Sequence, residues 1–164
     1  MSTTSADTEA SAAAGVHRAI AAYAQALDAG RTDDLADLFV PDGVAEIAGM
    51  AAFEGRDAIR EGFAGFAPAA PQLHLVANTV LTSYTDEEAT AVSDLAFFQR
   101  GESGWTVQLV GRYDDTLGLH DGVWKFRRRV TTFRHGPAVA SYDLAVEGQP
   151  GGPPSRSRRR PARA

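Results

Sequence analysis

The sequence contains no cysteine. Disulfides, thiolate metal sites and a cysteine nucleophile are therefore excluded. Lysine is nearly absent too: of 16 basic residues all are arginine except Lys125. With abundant alanine, this composition points to a GC-rich bacterial genome. No apolar run approaches the roughly 20 residues that a membrane-spanning helix needs. The N-terminus "MSTTSADTEASAAAG" has neither a basic start nor a long apolar stretch, so it does not read as a signal peptide. A cytoplasmic protein with no membrane partner is the expectation. HxH, HExxH and acids at ligand spacing are missing, as are a glycine-rich phosphate loop and a GxSxG elbow. The chain is therefore expected to use no metal and no cofactor.

What is present is enough for one folded domain. The 164 residues are 44% apolar, a length that supports a single core and falls short of two domains. Charge is unevenly placed. All 21 acids lie at or before Glu147, and the 17 residues after it carry five arginines. The body then has 11 basic residues against 21 acids, and such a surface repels nucleic acid. Residues 1–10 and the Pro/Gly/Arg-rich stretch 141–164 are expected to be disordered or flexible, with the domain at 11–140.

Hydrophobic spacing assigns the elements. Ile20, Tyr23, Ala24 and Leu27 fall on one stripe of a helix from about Ser11 to Ala29, with Gly30 as its terminator. Thr32 is placed to cap a second helix with Asp33 and Asp34 in its first turn and Leu35, Leu38 and Phe39 on its apolar face. "VPDG" reads as a turn, "VAEIAGMAAFEG" as a short strand or hairpin, and "GRDAIREGFAGF" as a third helix ended by Pro68 and Pro71. Beyond Pro71 the period becomes two. Four strands follow, over "QLHLVANTVLTSY", "ATAVSDLAFFQR", "WTVQLVGRYDDTLGLH" and "VWKFRRRVTTFRH", separated by turn signals. Helices segregated from a meandering antiparallel sheet predict an α+β fold, with the sheet curved around the first helices.

Two residues stand out. Asp28 sits at the end of the first helix, where a carboxylate faces the partial negative charge of the last carbonyls at a cost of about 0.3–1 kcal/mol. His74 lies on the first long strand between Leu73 and Leu75. The other histidines fall near the N-terminus (His17), in a turn (His120) and at the end of the last strand (His135). Asp28 is either a solvated helix end or an inward acceptor for His74. His74 is either a core histidine satisfied by the backbone or a proton-transfer group. Tyr23 is on the apolar stripe, about 140° from Asp28 around the helix axis.

Several phrases together, "YAQALDAGRTDDLADLFVPDGVAEI", "FEGRDAIREGF", "LHLVANTVL", "GRYDDTL" and "DGVWKFRRRV", resemble the SnoaL-like group of the nuclear transport factor 2-like superfamily. The resemblance runs from Val16 to His135 and implies a cone-shaped barrel. The superfamily includes dehydratases, isomerases, polyketide cyclases and non-catalytic binders, so the site must decide the function. The position of the ketosteroid isomerase base falls on Ile47. Scytalone dehydratase-like enzymes have an aspartate and a histidine that match Asp28 and His74, and their second histidine aligns near Phe98. Bile-acid 7α-dehydratase-like enzymes add a tyrosine five residues before the aspartate, and Tyr23, Asp28 and His74 fit that pattern.

The resemblance implies a lyase of the dehydratase kind acting on a hydroxylated apolar small molecule, a steroid, terpenoid or polyketide-like ring. His74 would be its base, Asp28 its orienting acid and Tyr23 its hydrogen-bond donor. A cyclase or isomerase with the same dyad, and a non-catalytic binding module, remain as alternatives. Asn78, Asp94, Phe98, Tyr113 and Arg129 are the expected substrate-contacting residues, with pairing to a carboxylate the expected role of Arg129. Similar folds often dimerise through the outer sheet face, which implies a homodimer.

Overall fold

The computed structural model describes residues 5–134. The element order is α1 (Ser5–Asp28), α2 (Thr32–Asp37), β1 (Phe39–Ile47), β2 (Ala51–Glu54), α3 (Arg56–Ala64), β3 (Gln72–Tyr84), β4 (Glu88–Gly101), β5 (Gly104–His120) and β6 (Val123–Phe133). The stretches 1–4 and 141–164 expected to be disordered or flexible, and His135, lie outside the described residues. No helix among the described residues is long and apolar enough to cross a membrane.

One open six-stranded sheet, in the order β2-β1-β6-β5-β4-β3, curves around α1. The α+β cone expected from the sequence is the observed fold. Its sheet is not wholly antiparallel: β1 runs parallel to β6, while every other pairing is antiparallel. Val16, Ile20 and Tyr23 of α1 meet Phe39, Leu117 and Phe126 in the core beneath the sheet. Gly15 lets α1 approach β6, because a Cβ there would stand 2.0 Å from Cδ1 of Trp124.

Several local expectations are corrected. Residues 5–10 are helical rather than disordered, and α1 begins at Ser5. That added turn is anchored on the far end of β3, where the Thr8 hydroxyl donates to Asp86 and the Tyr84 hydroxyl donates to Glu9. Thr32 does not cap α2; Arg31 holds that position without a side-chain cap, and Thr32 is the first helical residue. Phe39 opens β1 instead of ending α2, and "VPDG" continues as a bulge where the pairing of β1 with β6 shifts between Phe39 and Val44.

The end of α1 is closed by the hydrogen-bond pair of a Schellman motif. Arg31 N–H donates to Ala26 O at 2.9 Å and Gly30 N–H to Leu27 O at 3.2 Å. Gly30 takes φ +66, a conformation strained for any residue with a Cβ. This termination leaves Asp28 as the last helical residue, beside β3, the edge strand of the sheet.

Candidate active site

Strand alternation and three bulges decide which side chains face inward. On β3, Gln72, His74 and Val76 point toward α1, while Leu73 and Leu75 are exposed. The pairing with β4 then shifts between Ala77 and Val80, and Asn78 takes φ 53. On β6 a bulge at Arg127 interrupts the pairing between Thr116 and Leu117 of β5. A separation of five residues puts two side chains on opposite faces of a regular strand. The bulge therefore lets Trp124 and Arg129 both face the core. On β5 the pairing with β4 shifts between Phe97 and Phe98, with Leu109 opposite Phe97.

These faces enclose a cavity of ≈ 250 Å³ between α1, α3 and the concave side of the sheet. Leu27, Phe63, Leu95 and Phe97 make much of its wall, and Met50 and Phe66, 65% and 41% exposed, stand at its mouth. Its polar members are Tyr23, Gln72, His74, Tyr113 and Thr131, and among the described residues no charged side chain lines it.

Asp28 stands directly behind His74. Its Oδ1 lies 2.6 Å from His74 Nδ1, and its Oδ2 accepts the His74 backbone N–H at 2.8 Å. An edge strand leaves alternate N–H groups without a strand partner, and Asp28 satisfies one of them while holding the ring. An ionised carboxylate is acceptor-only, so opposite it a neutral imidazole carries its proton on Nδ1 and leaves Nε2 as an acceptor. The side chains of His74 and Asp28 are 13% and 17% exposed. The His74 ring also stacks on Phe97, centroid to centroid 4.5 Å. Two charge-assisted hydrogen bonds, each worth about 1.5–3 kcal/mol, outweigh the cost of an acid at this helix end.

Tyr23 and Tyr113 meet edge to face with centroids 6.0 Å apart. Arg129 lies under them, its guanidinium carbon 4.2 Å and 4.0 Å from the two ring centroids and 4.3 Å from that of Phe126. Asp115 holds this guanidinium through two hydrogen bonds, from Nε at 2.8 Å and from Nη2 at 2.7 Å, with both side chains almost fully buried. Burial pushes the Tyr113 phenol up to about 12, against the opposing charge of Arg129. Burial holds the Tyr23 phenol still further above the ordinary tyrosine range, aided by Tyr113. Burial disfavours the charge of Arg129, but Asp115 outweighs it and keeps the guanidinium protonated. Both phenols are thus O–H donors at neutral pH.

The structure brings together Tyr23, Asp28, His74 and Tyr113. It does not bring Asn78, Asp94 or Phe98 to the cavity. Asn78 is displaced by its bulge and donates to Asp94 Oδ2 at 2.9 Å on the outer face, where Arg134 also reaches Asp94. Asp94 and Phe98 do share a strand face, but it is the convex one; Phe97 is the inward neighbour. Arg129 contacts Asp115 and the tyrosine rings rather than the cavity itself. Trp105 on β5 is 52% exposed. His17 is exposed on α1, and His120 lies 3.5 Å from Asp121. Gln72, Leu109 and Thr131 line the cavity and escaped sequence reasoning. Gln72 was accessible to it, since period two puts it on the face of His74. Ile47 also lines the cavity. No group of three His, Asp or Glu side chains among the described residues is placed to hold a metal ion.

Comparisons with known proteins agree with this fold. A candidate scytalone dehydratase from Novosphingobium aromaticivorans is 28% identical, with a TM-score of 0.71 over 79% of this chain and 89% of that one. A Catenulispora acidiphila protein solved in complex with S-DNPA is 25% identical, with a TM-score of 0.68 over 76% of this chain and 94% of that one. A Mycobacterium tuberculosis protein of unknown function shares the fold, at 21% identity and a TM-score of 0.75 over 88% of this chain and 85% of that one. No curated protein matches the chain. The family model of the SnoaL-like domain matches residues 8–130, from the first turns of α1 to β6, and the chain belongs to that family.

Proposed function

We propose that this protein is a lyase of the dehydratase kind, acting by general acid–base catalysis on a neutral, hydroxylated, largely apolar small molecule. The observation that carries this reading is the imidazole of His74, clamped at Nδ1 by Asp28 and presented to an apolar cavity. Nε2 takes a proton from the carbon next to a carbonyl. The electron pair of that C–H bond becomes the new C=C bond, and the hydroxyl on the next carbon departs. It takes the proton from Nε2 as it leaves, so the products are an unsaturated carbonyl compound, water and neutral His74. Asp28 stabilises the transient imidazolium. The protonated phenols of Tyr23 and Tyr113 are suited to donate to the carbonyl oxygen, where negative charge develops.

Ring closure or isomerisation through the same dyad would differ only in the fate of the carbanion. A cavity of ligand size reaching His74 favours catalysis over a packed assembly module. Positioned proton transfer is worth ~10²–10⁴-fold, so His74→Ala should lose that much turnover while keeping its circular dichroism spectrum. Undiminished turnover in that variant would sink the reading. We also propose a homodimer. Leu73 pairs with Phe98 and Leu75 with Ala96 across β3–β4, and Val107 and Val110 continue this outer apolar face on β5. Light scattering at the monomer mass would refute it.

A further inference from the structure

We infer that Gln72 is a specificity-determining residue of the cavity: its immobilised side-chain carbonyl selects ligands that carry a hydroxyl donor beside the His74 ring. The inference rests on the cavity being the substrate site.

Gln72 and His74 are two residues apart on β3 and both line the cavity. The amide of Gln72 has a defined orientation, because its Nε2 donates to Leu27 O at 3.3 Å and only the amide nitrogen can do so. Leu27 O is itself fixed, since it also accepts Gly30 N–H at the closure of α1. Tethering one end of the amide to a rigid helix terminus leaves Oε1 as the free end. Oε1 engages no described residue, and Gln72 has no buried side-chain atom without a partner. It is an open acceptor in a wall that is otherwise mainly apolar.

Next to it, His74 Nε2 is also an acceptor, because Nδ1 is committed to Asp28. The β3 wall therefore offers two acceptors side by side, and Tyr23 and Tyr113 offer donors elsewhere in the cavity. A ligand complementary to both directs a hydroxyl to Gln72 and a carbonyl to the tyrosines. One without a donor strips water from Oε1 and returns nothing, which is how a polar cavity group rejects an isostere. A carboxylate finds no cation among the described residues of the lining and is disfavoured at that wall by the carbonyl of Gln72.

The test uses 2-naphthol and 2-methoxynaphthalene, bicyclic probes of nearly equal shape that differ in the donor. Their dissociation constants are measured by titration calorimetry on the wild-type protein and on Gln72→Met, which keeps the volume and removes both amide groups. The wild type should bind 2-naphthol about 3- to 10-fold tighter than its methyl ether, the range of one neutral hydrogen bond. In Gln72→Met the ratio should fall close to one, mostly through loss of naphthol affinity. Equal affinities in the wild type overturn the inference without need of any variant. A preference kept in full by Gln72→Met also overturns it, assigning the selection to His74 and leaving the proposed function standing. Failure of the wild type to bind either probe overturns the inference together with the use of the cavity as a substrate site.

Discussion

Asp28→Asn exchanges one carboxylate oxygen for an NH₂ group and leaves the shape of the side chain unchanged. The two oxygens of Asp28 do different work: one accepts the fixed backbone N–H of His74 at 2.8 Å, the other faces Nδ1 at 2.6 Å. A backbone N–H cannot change its role, so the amide oxygen of asparagine must take that position. Its NH₂ then faces Nδ1 and requires an acceptor there. The imidazole has to move its proton to Nε2, and the cavity loses its base. Holding the productive tautomer would instead set two donors against each other, at a cost of about 1–3 kcal/mol. With the negative charge beside the imidazolium also gone, turnover should fall by ~10²–10⁴-fold, as when a triad histidine is held in its wrong tautomer. Two charge-assisted hydrogen bonds become neutral ones, so stability should fall by only roughly 2 kcal/mol. The tautomer is read without any substrate, from long-range proton–nitrogen correlations on histidine-labelled protein. The wild type should show the proton on Nδ1 of His74, and the variant on Nε2. A variant that keeps the Nδ1 proton, or that turns over within a few-fold of wild type, would refute the reasoning.

Alkaline stability reports on the phenols. The pKa of Tyr113 is raised by burial from 10.0 to about 12, so the unfolded chain releases its proton first, and stability should be constant below pH 10 and fall as pH rises toward 12. Tyr113→Phe should show a shallower fall in denaturant unfolding across that window, and an identical slope would contradict the burial argument. Arg129→Met leaves Asp115 charged, buried and unpaired, which should cost about 3–5 kcal/mol in urea unfolding; a loss under 1 kcal/mol would mean that Asp115 is not confined as described. Gly15→Ala places a methyl against the Trp124 ring, and despite the better helix propensity of alanine it should lower stability by about 1–3 kcal/mol. A raised melting temperature would show that Trp124 moves freely.

Much of the fold was legible because it is written in local periods. Apolar stripes at helical spacing and two-residue alternation after Pro71 mark the helices and the four long strands. The features that escaped are those in which a distant partner overrides a local signal. "VPDG" has turn chemistry, yet it continues in β1 because β6 supplies a parallel partner on either side of the bulge. Residues 5–10 carry little apolar content, yet they are helical where Thr8 and Glu9 meet Asp86 and Tyr84.

The site divides along the same line. Sequence alone placed an acid at a helix end and a histidine on an inward face, and nothing in either local environment requires the other. Which residues join them was decided by the tertiary structure. Counting in twos from His74 puts Asn78 inside, but the bulge at φ 53 turns it out toward Asp94. The bulge at Arg127 likewise decides that Arg129, five residues after Trp124, shares its inward face and reaches Asp115. A bulge changes strand parity without a reliable signature in composition, because it is set by the register against the neighbouring strand. The sequence by itself determined the order of the helices and the long strands, the inward placement of His74 and an end of α1 close to Asp28. Only the curvature of the sheet brought β3 against that helix end. Contact between Asp28 and His74, 46 positions apart in the chain, is a property of packing rather than of either segment.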